Sequence, residues 1–316
     1  MPLTVVDGGM LSATNAQYTM FKNRLINGGM GIWQRGTTTS TNGAYLADRW
    51  SVYSNSGTIT GSRSTDVPAN FQYSFSASGT GYPQVTQRIE AVNCLDLSGQ
   101  TITVSFWAKQ TSGAGAGSIG VQLTYAGSSD NWTAPVVIGT NPTFTGTTGW
   151  VQYSATYTNL PSNVLNGLAV TVYGNTVGSA TVLFTGVQLE KGSTATSFDY
   201  RPYGTELQLC QRYCLRLTDS TNNFTMYGSF TAASATLAYG AIQGTTMRVT
   251  PTVTYSSLAL ATNAVFPVTS IGAYGGLVNG VIPIQINVAS GLTVGSSVFL
   301  QQNNSASAFL QLSAEL

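Results

Sequence analysis

The stretch ITVSFWAK, Ile102 to Lys109, sets Ile102, Val104, Phe106 and Ala108 against Thr103, Ser105, Trp107 and Lys109 in strict alternation. Successive side chains of an extended chain point to opposite faces, so this pattern reads as a β-strand with one face in a core. The same parity recurs outward from it, in Phe71, Tyr73 and Phe75, in Ile119, Val121, Leu123 and Tyr125, in Val151, Tyr153, Ala155 and Tyr157, and in Leu168, Val170 and Val172. Clusters of Gly, Asn, Ser and Thr separate these runs at intervals of roughly 8–15 residues, with no helical period between them. The expected fold is all-β, with a jelly-roll β-sandwich over residues 24–203.

The last strand of that sandwich, TVLFTGVQLE from Thr181 to Glu190, changes phase in the middle. Val182 and Phe184 share one parity and Val187 and Leu189 the other. A β-bulge at Gly186 would turn all four inward, because glycine accepts the positive φ of a bulge at little cost. Beyond an Asp199-Arg201-Pro202 corner, Thr205-Glu206-Leu207-Gln208 has the form of a capping box, followed by Leu207, Cys210 and Cys214 at helical spacing. This predicts a helical hinge over residues 204–217. Strand patterns resume near Met226 and continue to the end, predicting a second, smaller β-sandwich over 218–316. Residues 1–23 carry little periodicity and read as an N-terminal arm that orders when docked on a neighbour.

Composition narrows the function. Of 316 residues only 7% are charged, yet 42% are apolar and 10% aromatic, enough to fill two cores. A net charge of +1 lacks the electrostatic footprint that nucleic acid or an anionic membrane surface demands. No apolar run approaches the ~20 residues of a membrane span, so no membrane insertion is expected. The N-terminus lacks the basic start and apolar core of a secretion signal, which points to synthesis in a cytoplasm. The chain contains no histidine, so Ser-His-Asp and Cys-His nucleophilic catalysis are excluded.

Other constellations favour binding over catalysis. The loop Gly115-Ala116-Gly117-Ser118-Ile119-Gly120 fits a dinucleotide pattern, but a strand follows it where a helix would be needed. Acidic residues stand beside bases, as in Asp48-Arg49 and Glu190-Lys191, and read as structural ion pairs. No enzyme is expected. Cys210 and Cys214 read as small core residues. No cofactor is expected apart from a structural Ca²⁺, for which Glu190 and Asp199 are the first candidate ligands. Trp107 has the wrong parity for the core and shares its face with Ser105 and Lys109. That face can be a shallow glycan site, a subunit interface, or a surface covered by a loop. Trp132 and Trp150 border turns and join it as rim candidates, whereas Trp33 and Trp50 read as core.

Four segments carry a family resemblance: NRLINGGMGIWQRG from Asn23, YLADRWSVY from Tyr45, QRIEAVNCLDLSGQTITVSFWAK from Gln87, and GVQLEKGSTATSFDYRPYGTELQLCQRY from Gly186. Together, over roughly residues 20 to 215, they resemble a family of bacteriophage virion proteins, the tail fibre and minor structural proteins. The main domain of these proteins is similar to carbohydrate-binding jelly rolls. The family commonly has an aromatic residue where Cys214 stands, a departure that reads as a packing substitution. It shares no catalytic motif that maps onto this chain. The resemblance implies a homotrimeric virion component made in a bacterial host, its arm binding other virion proteins. Such a component is either a tail-associated adhesin for a host-surface glycan or a purely architectural subunit of baseplate or capsid.

Overall fold

The computed structural model describes residues 21–112, 115, 118–175, 179–274 and 280–316. The expected docking arm, residues 1–23, therefore lies almost wholly outside the described residues, as do Ala116 and Gly117 of the glycine-rich loop. The chain divides into two compact units, Met1–Tyr203 with Leu316, and Gly204–Glu315.

The first unit is built from β1 (Thr38–Thr39), β2 (Ser51–Tyr53), β3 (Ile59–Ser64), β4 (Ser74–Thr80), β5 (Gln84–Ile89), β6 (Ile102–Ser112), β7 (Ile119–Tyr125), β8 (Val136–Val137), β9 (Thr143–Phe144), β10 (Val151–Tyr157), β11 (Leu168–Gly174) and β12 (Ser179–Lys191). One sheet runs β1-β3-β4-β12-β6-β10. The other runs β2-β5-β11-β7-β8, with β9 also paired to β7. All described ladders in both sheets are antiparallel. The alternating apolar residues meet between the sheets, where Phe75, Val104, Phe106, Val121, Leu123, Val170, Val172 and Phe184 are fully buried. Trp50 is buried with its indole N–H donated to the carbonyl of Asn27 at 3.0 Å, and Trp33 packs against the edge of the same core. This is the all-β sandwich that the alternation predicts.

The phase change in β12 is a bulge. Gly186 has φ +60°, and the register with β6 shifts between Thr185 and Gln188. Val182, Phe184, Val187 and Leu189 all reach the core as a result. Asn23 clasps the bulged strand, its Nδ2 donating to the carbonyl of Val187 and its Oδ1 accepting from the backbone N–H groups of Leu25 and Leu189. Beyond β12 the chain turns back at Asp199 and Arg201. Asp199 accepts from the N–H of Asn23, and Arg201 donates to the carbonyls of Asn23 and Leu25.

One strand starts later than its pattern suggests. β4 begins at Ser74, so Phe71 and Tyr73 precede it and do not join Phe75 inside. Asn70, with φ +70°, turns the chain just ahead, and Phe71 packs instead on Phe198 and Tyr200.

The next element is an α-helix, α1, spanning Tyr203–Gln211. It is shorter than the expected hinge of 204–217 and begins two residues before Thr205, which lies within its first turn and not at a cap. Cys214 belongs to a strand, β13 (Cys214–Thr218), because its backbone pairs with a strand near the C-terminus, a long-range ladder that local helical spacing does not foresee. Cys210 and Cys214 are buried thiols on different elements. The remaining strands are β14 (Met226–Ala232), β15 (Leu237–Gln243), β16 (Thr252–Ser256), β17 (Leu258–Ala261), β18 (Val265–Ala273), β19 (Val281–Val288), β20 (Ser297–Gln302) and β21 (Phe309–Ser313). They form a closed barrel, β14-β15-β19-β18-β17-β20, beside a three-stranded sheet, β13-β21-β16. Closure pairs every barrel strand on both sides and removes exposed edges. Phe230, Leu260, Ile284, Ile286, Val298 and Leu300 fill its centre.

Candidate functional site

The sequence-based candidates fall on two different surfaces. Ser105, Trp107, Lys109 and Trp150 lie on the outer face of the first sheet, and that face is partly covered by the chain itself. Residues 192–199 lie across it: Thr103 Oγ1 donates to the carbonyl of Gly192, and the N–H of Asp199 donates to Gln188 Oε1. Ser105 is 1% exposed beneath this cover. Glu190 is equally enclosed, its carboxylate accepting from Gln188 Nε2 and from both the N–H and the hydroxyl of Thr196. The two residues considered for Ca²⁺, Glu190 and Asp199, thus already hold protein donors. Among the described residues no three His, Cys, Asp or Glu side chains gather closely enough to hold a metal ion.

Trp107 is half-buried beside the bulge, where a Cβ added to Gly186 would come 2.9 Å from its ring and 2.6 Å from that of Phe71. Asp66 ties the other two candidates together, accepting from Lys109 Nζ at 2.6 Å and from Trp150 Nε1 at 2.9 Å. Its hydrogen bonds with Lys109 and then Trp150 hold the Asp66 carboxyl below the ordinary aspartate value. A depressed carboxyl contributes stability above its unfolded pKa and loses it as pH falls through the folded one. We therefore expect Trp150 emission to change on acidification below about pH 4 in the wild type and not in Asp66→Asn, read as the difference between their fluorescence titrations.

The outer face of the second sheet is open and concave. Cross-strand partners align there in rows: Ser51, Thr86, Thr171 and Gln122 in one, Arg88, Ala169 and Thr124 in the next, and Tyr53, Gln84, Tyr173 and Gly120 in a third. These residues are the outward partners of Val52, Val85, Val121, Leu123, Val170 and Val172, so the period of two that fills the core also makes this face polar. A Cβ at Gly120 would lie 2.2 Å from Cζ of Tyr173, so the ring that covers this glycine would have to move for a larger residue. Thr86 and Thr171 join their hydroxyls at 2.8 Å across the floor.

Aromatic residues stand at both ends of the rows. Tyr45 and Tyr53 rise at the β2 side, and Trp132 and Pro135 at the side of the β7–β8 connection. The groove between them has a volume of about 310 Å³. Trp132 packs against Gly167, and the Arg88 guanidinium carbon stands 5.3 Å from its ring centroid. The lining contains one cation, Arg88, and no Asp or Glu. Glutamine amides, threonine and serine hydroxyls and one guanidinium offer donors and acceptors in directions fixed by the sheet, beside flat apolar rings. That combination suits a ring-shaped polyol, with C–H faces to stack on aromatics and hydroxyls to bond to amides. A paired-carboxylate hydrolytic centre is not built into this lining.

Of the sequence-based candidates Trp132 alone belongs to the groove. Its other walls come from residues outside the candidate set that the sequence pattern proposes. Gln84, Thr86, Arg88, Gln122 and Thr124 alternate outward in their strands as plainly as Trp107 does in β6, and Tyr53 ends a strand. Cys94 is chemically silent by contrast, since burial pushes its thiol up to about 12. Among the described residues no helix is long and apolar enough to cross a membrane.

Comparison with curated protein sequences gives no match. Among solved structures, tailspike protein 4 of bacteriophage CBA120 aligns at 17% identity over 54% of this chain and 22% of its own, with a TM-score of 0.36. A xylan-binding domain from Paenibacillus barcinonensis aligns at 13% identity over 50% of this chain and 94% of its own, with a TM-score of 0.33. A CBM4 module aligns at 19% identity over 52% of this chain and 98% of its own, with a TM-score of 0.34. At these identities and scores the similarities bear on neither ligand nor activity. Residues 45–177, less than half of the chain but including every residue that lines the groove except Gly43, match the family model described as Carbohydrate binding domain.

Proposed function

We propose that this chain is a non-catalytic glycan-binding protein and that the groove on the second sheet is its binding site. The observation that carries the reading is the groove itself, an open polar sheet face flanked by Tyr45, Tyr53 and Trp132. The family match over the same residues supports it. The four segments with virion-protein resemblance support a finer placement: a tail-associated adhesin on a bacteriophage particle, assembled as a homotrimer, with residues 1–23 docking on other virion proteins and the groove meeting a host-surface glycan. Three weak sites on one particle would reinforce each other by raising the effective concentration of the second and third contacts.

The test is a broad glycan array, including lipopolysaccharide and capsule fragments, probed with the purified full chain. Retention on at least one glycan is expected. Absence of binding across the array would contradict the reading. A second reading, a purely architectural virion subunit, draws on the cluster of Phe71, Phe198 and Tyr200 outside the first sheet, with ring centroids 4.8–5.6 Å apart and Tyr200 56% exposed. Aromatic patches of this kind favour protein contacts. It predicts that the chain enters particles and binds no glycan.

A further inference from the structure

We propose that the groove selects glycans that carry a carboxylate, a uronic acid residue beside a stacked neutral ring, with Arg88 and Tyr45 as the pair that holds the acid group. The inference rests on the groove being the glycan site. Three observations point to it. First, Arg88 is the one charged residue in a lining that otherwise consists of amides, hydroxyls and apolar groups. Arg35 comes within 5.4 Å of the Tyr45 ring centroid, but its guanidinium is 3.7 Å from the Asp48 carboxylate, with both side chains nearly buried. Asp130, close behind Trp132 at Gly167, accepts the N–H of Ala91.

Second, Arg88 and Tyr45 converge on a single point. Leu316, which groups with this unit, places its carbonyl oxygen 2.5 Å from Arg88 Nη1 and 3.0 Å from Tyr45 Oη. A guanidinium N–H and a phenol O–H thus already share one oxygen acceptor at the groove, the arrangement in which a carboxylate oxygen takes charge-assisted hydrogen bonds. Third, the cation is presented together with an aromatic surface. Its 5.3 Å distance to the Trp132 centroid means that a sugar ring against the indole sets a substituent within reach of the guanidinium. A neutral sugar offers Arg88 only neutral acceptors, whereas a uronate adds a charge-assisted pair. A bound uronate would displace Leu316 from the two donors.

The test is affinity electrophoresis of the full chain through gels holding polygalacturonate, alginate or hyaluronan, each beside its carboxyl-reduced form. We expect at least one acidic polymer to be retained about tenfold more tightly than its reduced form, the scale of a charge-assisted hydrogen bond in a half-open site. Arg88→Gln should bring the two forms within about twofold of each other, and Arg88→Lys should restore part of the difference. Should Arg88→Gln fail to fold, the wild type still decides: retention of the acidic polymer must fall several-fold between low salt and about 0.5 M salt, while retention of any neutral glycan holds. Equal retention of acidic and reduced forms, or an acidic preference that survives Arg88→Gln, overturns the proposal and leaves the groove reading standing. Binding only to neutral glycans on the array does the same. Absence of binding to any glycan overturns the groove reading, and this inference with it.

Discussion

Replacing Trp132 with alanine is expected to weaken glycan binding by about thirtyfold or more, the scale of a buried tryptophan anchor at a recognition surface. The substitution removes the flat wall against which a pyranose ring stacks and frees the Arg88 guanidinium, now 5.3 Å from the indole centroid, to move. Trp107→Ala serves as its counterpart on the opposite sheet, where the side chain sits half-buried beside Gly186 and Phe71. It should cost stability but leave affinity within about twofold, since surfaces with no shared partner behave additively. Titration calorimetry of both variants with a glycan retained on the array separates the two faces. A large loss in Trp107→Ala with none in Trp132→Ala would move the site to the first sheet.

The largest expected effect on stability comes from Gly186. An alanine there must hold φ near +60°, which costs a non-glycine residue about 1–2 kcal/mol. Its Cβ would also press to within 2.6 Å of the Phe71 ring and 2.9 Å of the Trp107 ring, adding an overpacking cost of about 1–3 kcal/mol. We expect Gly186→Ala to lose about 2–5 kcal/mol in denaturant unfolding of the first unit. Relief of the closer contact requires Phe71 to swing outward, so the double variant Gly186→Ala, Phe71→Ala should recover part of that loss. A Gly186→Ala chain of unchanged stability would show that the phase change in β12 is accommodated without a bulge at that glycine.

Much of the fold was legible because the periods were clean. Ile102 to Lys109 alternates without a fault, and the slip between Phe184 and Val187 called for a bulge at the residue where φ is positive. The helix was less legible, because Cys214 keeps helical spacing with Cys210 while its backbone is claimed by Phe309–Ser313, about a hundred positions away in sequence. Local pattern carries no information about such a ladder. Closure of the second unit into a barrel is likewise a matter of which strands pair last.

For the proposed site, alternation points to a polar outward sheet face but not to which of the two faces. Both sheets carry a polar outward face, and alternation ranks Trp107, Lys109 and Ser105 no differently from Gln84, Thr86 and Arg88. What separates them is cover. Residues 192–199 lie across the first sheet and bury Ser105, whereas on the second Ser51, Gln84, Thr86, Arg88 and Gln122 line a groove and keep part of their surface exposed. Which loop folds over which face is decided by contacts such as Thr196 on Glu190 and Asp199 on Gln188, each a single hydrogen bond or two between residues with no periodic signature.

Hydrogen exchange of the full chain, with and without a saturating oligosaccharide from a retained glycan, tests the placement of the site most directly. Slowed exchange is predicted in β5, β11 and β7 and in the connection carrying Trp132, with β6, β10 and β12 unchanged. Protection confined to β6, β10 and the segment 192–199 would contradict the account and assign binding to the face of Trp107.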